Sequence, residues 1–261
     1  MSGPVLIFDS GVGGLSVARS LYTRHPDIAL CYACDNAWLP YGLRDDDTLA
    51  ARILTVCKAA IDACRASTLV VACNTASTLA LARLREALTI PVIGTVPAIK
   101  PAAFASQTRH IGLLATRATV HRPYTQDLIE RFASDCMVTK VAADALVIEA
   151  EAWLAGECVD RTRIQRALEP LWQATQNRRA LDTVVLGCTH FPLLRPVLEA
   201  LSPCTLEWID SGDAIARRVA DVAPARTGPP DGRCFTTDAA EHLTRGFASF
   251  GFKAPQRLSL L

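Results

Sequence analysis

The sequence predicts an α/β protein made of two similar α/β domains, each with a mainly parallel sheet, related by a pseudo-two-fold axis and separated by a cleft. Three observations support this prediction. Short apolar runs alternate with longer segments of helical periodicity, which is typical of parallel sheets covered by helices. A segment at 68–75 reappears in similar form at 183–190. The chain has 261 residues, 50% of them hydrophobic, which is enough for two small cores.

The first domain is predicted to contain four strands and three helices. Strands are expected at the short apolar runs, and helices where apolar residues recur every three to four positions. The predicted strands are 5–8, 28–33, 68–72 and 91–94, and the predicted helices are 15–22, 49–64 and 76–88. Residues 97–101 are expected to cross to the second domain.

The strand–helix pattern then restarts. The predicted strands are 110–115, 138–141, 183–187 and 206–209, and the predicted helices are 124–133, 163–175, 192–201 and 213–222. The tail after residue 209 is expected to return to the first domain, and segment 223–232, rich in Pro and Gly, is expected to be a surface loop. The predicted division is therefore 1–97 plus 210–261 for the first domain and 98–209 for the second.

The bulk composition argues against several classes of protein. The net charge of +1 gives no reason to expect binding to nucleic acid or to a membrane surface. The longest uncharged run, between Arg65 and Arg83, contains Asn74 and several hydroxyl residues, so it is not expected to span a membrane. No signal peptide is expected. The ten cysteines are therefore expected to be reduced, in the cytoplasm, and the Cys31–Cys34 pair is expected to serve packing.

Cys73 and Cys188 stand out because each follows a predicted buried strand and precedes a predicted helix. A packing role would explain either one alone. The start of a helix favours an anion, so both thiols are expected to have a lowered pKa. A matched pair of acid–base groups suits a reaction between mirror images, in which one thiolate removes an α-proton and the other thiol delivers a proton to the opposite face. This scheme requires no cofactor and no metal, and the lysines of the chain lie away from both motifs.

The residues that follow the two cysteines are polar. Asn74 and Thr75 follow Cys73, and Thr189 and His190 follow Cys188. Hydroxyl and amide groups can hold a carboxylate. His190 can supply or accept a proton near Cys188.

A glycine-rich loop at 9–14 follows the first predicted strand. It lacks the GxGxxG spacing and the Walker lysine, so nucleotide binding is only weakly supported. Its first residue, Asp9, is expected either to cap the following helix or to orient Cys73 or a substrate amine.

A turn at 35–42 follows the second predicted strand. Tyr41 lies there between a proline and Gly42, which restrict the backbone. The chemistry alone leaves open whether this segment binds a ligand or is an ordinary turn.

Together these motifs resemble glutamate racemase. The matching segments are 8–16, 35–36 with 40–42, 71–77, 112–119, 186–194 and 210–212. They are spread over nearly the whole chain. The resemblance implies two α/β domains with glutamate held between them, and an activity that interconverts L- and D-glutamate and so supplies D-glutamate for peptidoglycan.

The resemblance also implies roles for individual residues. Cys73 and Cys188 would be the catalytic acid–base pair, assisted by Asp9 and His190. The residues implied to line the substrate are Asp9, Ser10, Tyr41, Gly42, Asn74, Thr75, Thr189 and His190. Thr116 and Thr119 resemble the residues that hold a carboxylate in the second domain.

Segment 141–151 departs from the family pattern. Many members carry a Cys-Pro segment that ends in a glutamate facing the active site. Here that motif is missing, and Glu149 and Glu151 both compete for the glutamate position. The departure resembles an enterobacterial-type subgroup in which UDP-N-acetylmuramoyl-L-alanine acts as an activator. That precursor and glutamate are the expected small-molecule partners, and a homodimer is expected because it is the commonest assembly.

Other classes remain to be compared. An aspartate racemase would use the same two thiols, and an assay of both amino acids separates the two. A cysteine phosphatase needs an arginine six residues after its cysteine, where this chain has Leu79 and Leu194. The Gly-x-Cys-x-Gly elbow of a hydrolase is also missing. A binding module would explain two domains and a cleft but not two matched cysteines.

Overall fold

The computed structural model describes residues 3–222 and 231–260. Its strands are β1 (Val5–Asp9), β2 (Leu30–Cys34), β3 (Thr68–Val71), β4 (Val92–Gly94), β5 (His110–Ala115), β6 (Met137–Ala142), β7 (Thr183–Leu186), β8 (Glu207–Ile209), β9 (Cys234–Thr236) and β10 (Gln256–Arg257). They form two parallel sheets, one of six strands in the order β10-β9-β2-β1-β3-β4 and one of four in the order β6-β5-β7-β8. The predicted class, two α/β units with parallel sheets, is confirmed.

Helices connect the strands and cover the sheets. They are α1 (Leu15–Arg24), α2 (Asp46–Cys64), α3 (Asn74–Ala87), α4 (Ile99–Ala105), α5 (Arg117–His121), α6 (Pro123–Phe132), α7 (Ala145–Ala155), α8 (Arg161–Thr175), α9 (Arg195–Leu201), α10 (Gly212–Val222) and α11 (Thr244–Ser249). Short 3₁₀ turns lie at Asn36–Trp38, Tyr41–Leu43, Phe191–Leu194 and Glu241–Leu243. No helix in the described ranges is both long and apolar enough to cross a membrane.

The central strands of each sheet are buried on both faces, which explains their uninterrupted apolar runs. In β1, Val5 and Ile7 point into one apolar cluster, and Leu6 and Phe8 point into the cluster on the opposite face. The second sheet likewise separates two apolar clusters. Strands that are buried on both sides show continuous hydrophobicity rather than alternation.

The C-terminal tail returns to the first sheet, as predicted. β9 pairs with β2, and β10 pairs with β9. Helix α10 packs against α1. Of the loop predicted at 223–232, residues 223–230 lie outside the described part of the chain.

All eight predicted strands are present, with small shifts at their ends, but several elements were not predicted. The crossing at 97–101 runs into α4, whose Pro101 lies in the first helical turn, where a missing N–H is tolerated. The sequence of α7 is ALVIEAEAWLA, which is apolar on most sides and therefore lacks the periodicity that marks a surface helix. The strands β9 and β10 have three and two residues, too few for a pattern.

Candidate active site

A cavity of about 380 Å³ lies where the carboxyl ends of both sheets meet. Such edges are where ligands bind in parallel α/β sheets. The residues that were singled out from the sequence and that line it are Ser10, Tyr41, Gly42, Cys73, Asn74, Thr75, Thr116, Thr119, Cys188, Thr189 and His190. Asp9 is fully buried and contacts Ser10 and Thr189 behind this lining.

Cys73 is the N-cap residue of α3 and lies two residues after the end of the first-sheet strand β3. Its sulfur lies 3.7 Å from Ser10 Oγ. Burial and the negative charge of Asp9 raise the pKa of the thiol to about 12, against the lowering contributed by the helix backbone at Ala76. The expectation of a lowered pKa is therefore wrong for Cys73, because desolvation outweighs the start of the helix.

Cys188 follows β7 in the second sheet, but its surroundings differ from those of Cys73. The segment after it is a 3₁₀ turn, Phe191–Leu194, and α9 begins only at Arg195. The helix predicted at 192–201 is therefore present, but its first turn is a 3₁₀ turn and the α-helix begins three residues later than predicted. The near neighbour of this cysteine is instead His190, whose Nδ1 lies 3.8 Å from Cys188 Sγ.

His190 connects Cys188 to Glu151. Its Nε2 lies 2.8 Å from Glu151 Oε1, and the ring is almost fully buried. Burial alone lowers the pKa of His190, but its hydrogen bonds to Cys188 and Glu151 outweigh burial and hold that pKa well above the usual value. The site therefore holds a cation beside Cys188.

Asp9 connects the two halves of the molecule through hydrogen bonds. Its carboxylate accepts hydrogen bonds from Gly11 N at 3.1 Å and from Thr189 Oγ1 at 2.8 Å. Burial raises the pKa of Asp9 even though His190 and these donors lower it. Helix α1 is preceded by Gly14 with no side-chain cap, so Asp9 is not its N-cap, which was one of the two roles considered for it.

The glycine-rich loop after β1 allows the other half of the molecule to come close. A side-chain Cβ at Gly13 would lie 2.5 Å from both His190 Nδ1 and Thr189 Oγ1, and one at Gly11 would overlap Glu151 Oε1. Val12 N donates to that same oxygen at 2.9 Å. The glycines therefore serve close backbone approach rather than a phosphate cradle.

Two further predicted groups lie on the cavity wall. Tyr41 is almost fully buried, and burial and Asp35 raise its pKa well above the usual value, so it carries a proton. Thr116 is the N-cap of α5, where its hydroxyl is 3.1 Å from Thr119 Oγ1. A helix N-terminus with two hydroxyl groups is a suitable place for a carboxylate.

The structure distinguishes the two glutamates that the sequence left open. Glu151 lines the cavity and contacts His190. Glu149 points to the opposite side, where it accepts hydrogen bonds from Arg163 Nη1 and Asp160 N next to the start of α8. Sequence reasoning also missed the apolar wall formed by Leu39, Val147 and Ile148, because apolar residues carry no chemical signal.

The arrangement is suited to moving protons at a carbon atom. Thiols from two different sheets reach one cavity, each with a buried ionisable partner nearby. Within residues 3–222 and 231–260, no group of three or more His, Cys, Asp or Glu side chains is placed to hold a metal ion.

Comparison with known proteins identifies relatives along the whole chain. A model of the family described as Asp/Glu/Hydantoin racemase matches residues 16–219. A glutamate racemase from Shewanella loihica is 44% identical over 258 residues, covering 97% of this chain and 95% of that protein. The crystal structure of Escherichia coli glutamate racemase in complex with L-glutamate and the activator UDP-MurNAc-Ala is 41% identical, covers 100% of both chains and has a TM-score of 0.93. A glutamate racemase isoform from Bacillus anthracis is 27% identical over 99% of this chain and 98% of that one, with a TM-score of 0.83.

Proposed function

The chain belongs to the Asp/Glu/hydantoin racemase family, and from this premise we propose that Cys73 and Cys188 are the two acid–base groups with which it interconverts L-glutamate and D-glutamate. The activity is that of a glutamate racemase, an amino-acid isomerase, as in its relatives. The observation that carries the assignment of residues is that the two thiols come from different sheets and line one cavity.

The proton transfers balance without an added reagent. One cysteine, as thiolate, takes the α-proton and becomes a thiol, leaving the electron pair on the α-carbon. The other cysteine donates its proton to the opposite face of that carbon and becomes a thiolate. After product release, proton exchange with water returns the two cysteines to the first state, whereas the reverse reaction starts from the second state, so no cofactor is needed.

The neighbours assist the two sulfurs differently. Cys73 is a thiol in the empty site because its pKa is raised to about 12. The substrate ammonium brings a positive charge that offsets Asp9, so it favours the Cys73 thiolate when the site is filled. On the other side, the His190 cation and Glu151 assist Cys188.

The remaining polar residues of the cavity hold the substrate. Asn74 Oδ1 is buried and has no hydrogen-bond partner among the described residues, so it is available to accept from the ammonium group. We assign Ser10, Thr75, Thr189, Tyr41 and Gly42 to the same substrate contacts. The hydroxyls of Thr116 and Thr119 at the start of α5 are assigned to a carboxylate.

The wider setting follows from the same premise. The domains are assigned as 1–97 with 210–261 and 98–209, in agreement with the membership of the two sheets. D-glutamate made in the cytoplasm would supply peptidoglycan synthesis. The Escherichia coli relative binds UDP-MurNAc-Ala as an activator, and we assign the same precursor to this chain as a regulator. A homodimer is the assembly that we expect.

One experiment tests the activity directly. Purified protein is incubated with L-glutamate, without added cofactor, and the optical activity of the solution is followed by circular dichroism. We expect decay to zero with a matching approach from D-glutamate. In D₂O, deuterium should enter the α-position, whereas a binding module would incorporate none. Aspartate in place of glutamate distinguishes the related racemase.

A further inference from the structure

An ion pair between the buried Asp35 and the half-buried Arg52 lies behind the cavity wall. The Asp35 carboxylate is fully buried and accepts hydrogen bonds from Arg52 Nε at 3.0 Å and Arg52 Nη2 at 2.7 Å. It also accepts from Tyr41 OH at 2.9 Å and Thr237 Oγ1 at 2.7 Å. Neither Asp35 nor Arg52 lines the cavity, but Tyr41 does.

The ion pair has the geometry of a rigid support. Burying a carboxylate is costly unless it is paired and its oxygens accept hydrogen bonds. The planar fork of Arg52 meets both oxygens of Asp35 and so fixes their orientation. The amide of Asp35 also donates to Asp9 O at 3.1 Å, which joins this support to the strand that ends at Asp9.

The support reaches the segment that walls the cavity. Arg52 lies 5.3 Å from the centre of the Trp38 ring, and Arg44 lies 5.6 Å from the same ring. Tyr41 and Cys73 belong to one apolar cluster. Both residues also line the cavity, so moving Tyr41 would change the substrate pocket and the packing around Cys73.

We propose that Arg52 is a positioning residue for substrate binding, which acts through Asp35 to hold Tyr41 and the 39–43 segment against the cavity. The identity of the substrate rests on the proposed function, but the positioning does not. A purely structural role would lower the stability of the fold without changing the pocket. A positioning role changes substrate affinity in the folded protein.

The kinetic test compares Arg52→Gln, Arg52→Lys and Arg44→Gln. Arg44 stacks on the Trp38 ring and donates to Trp38 O at 3.1 Å but does not contact Asp35, so its variant removes contacts to Trp38 and leaves the Asp35 hydrogen bonds in place. In Arg52→Gln we expect the KM for glutamate to rise about tenfold, which corresponds to the loss of one charge-assisted hydrogen bond. We expect kcat to change less than KM. Arg52→Lys should recover part of this loss, and Arg44→Gln should show a smaller rise. In a Tyr41→Phe background, Arg52→Gln should add little. Equal effects of Arg44→Gln and Arg52→Gln, or full additivity with Tyr41→Phe, would overturn the proposal.

A second measurement does not require activity. Iodoacetamide is added to the folded protein, and alkylation of Cys73 and Cys188 is followed by peptide mass spectrometry. We expect the Cys73-to-Cys188 rate ratio to rise several-fold in Arg52→Gln and to change little in Arg44→Gln. Thr237→Val, which removes a different donor to Asp35 and keeps the charge, gives an intermediate ratio and substitutes for Arg52→Gln if that variant does not fold. An unchanged ratio in a folded variant refutes the positioning role, whereas a wild-type protein that leaves glutamate unchanged refutes only the proposed function.

Discussion

The Cys73 thiol and the His190 imidazole line the same cavity, but burial and nearby charges favour the neutral form of one and the charged form of the other. Burial and Asp9 hold Cys73 in its neutral form, while contacts to Cys188 and Glu151 hold His190 in its charged form. A neutral thiol on one side and a cation on the other make the two ends of the site unequal before the substrate arrives. Measurements that depend on the protonation of these two groups, made without substrate, should report this difference.

Alkylation of Cys73 should therefore depend on pH in an unusual way. Only the thiolate reacts, so in the empty protein the rate should keep rising about tenfold per pH unit beyond pH 9, where an ordinary thiol levels off. Asp9→Asn removes the second cause of the raised pKa, and its rate should level off at a lower pH. Peptide mass spectrometry between pH 7 and 10 gives the profile. A wild-type rate that levels off near pH 9 would contradict the raised pKa.

Replacing either cysteine by serine should stop racemisation without unfolding the protein. A hydroxyl is too weakly acidic to exchange the α-proton, so we expect kcat to fall by about 10²–10⁴-fold in Cys73→Ser and in Cys188→Ser. Each variant should retain more exchange of solvent deuterium into one enantiomer than into the other. Cys57→Ser, at a buried cysteine outside the cavity, is the control, and full activity in either active-site variant would refute the two-thiol scheme.

Much of this residue-scale description could be predicted from the sequence, since polar residues after strand ends indicate a site. The raised pKa of Cys73 could not. The argument from the helix start considers only the local chain, whereas Asp9 comes from another strand. Burial, which makes the largest contribution, is a property of the folded molecule.

At the scale of the element, helix α7 carries two glutamates with different tasks. Glu151 faces the cavity and His190, while Glu149 faces Arg163 and the start of α8. Residues two positions apart on a helix point to different sides. The sequence could not distinguish them because it predicted no helix there, and the apolar residues of α7 gave no period.

The two glutamates form a matched pair of variants. Glu151→Gln removes one cause of the raised pKa of His190, so we expect kcat to fall. Protonated His190 stabilises the fold fully below pH 6.5, and this contribution is lost as pH rises through its folded pKa. In Glu151→Gln this contribution to stability should be lost at lower pH.

Glu149→Gln should instead cost about 1–3 kcal/mol of unfolding free energy with kcat retained. Urea unfolding between pH 5 and 9 measures the stability of each variant, and a kinetic assay measures its kcat. Identical behaviour of the two variants would contradict the different roles assigned to Glu149 and Glu151.

At the scale of the whole molecule, the two halves meet around the cavity through specific contacts. Ser16 Oγ donates to Thr189 O at 2.9 Å, and Thr189 Oγ1 donates to Asp9. Alternation of strands and helices, together with the internal repeat, was enough to predict two units with parallel sheets. It could not predict which surfaces of the two halves would touch, because those contacts depend on glycines and long polar side chains rather than on periodicity.

An ion pair between side chains also joins the two halves of the molecule. Arg122, after α5, donates to both carboxylate oxygens of Asp46, at the start of α2, at 2.5 and 2.7 Å. Both side chains are partly exposed, so the pair contributes at most about 1 kcal/mol. That is too little to hold the fold but enough to change the affinity for a ligand enclosed between the halves by up to about fivefold.

Breaking this ion pair should therefore weaken substrate binding more than it weakens the fold. In Asp46→Asn or Arg122→Gln we expect the KM for glutamate to rise up to about fivefold, with the melting temperature nearly unchanged. The KM of the wild type should rise with added salt, which screens charges that are exposed, and that of the variants should not. Arg195→Gln is the control because its partner Glu199 lies on the same helix, so it should leave KM unchanged. The double variant with Asp46→Arg and Arg122→Asp should recover a low KM, since the attraction between the two halves is restored with its charges exchanged. A double variant no better than the single ones would show that attraction between these two side chains does not support substrate binding.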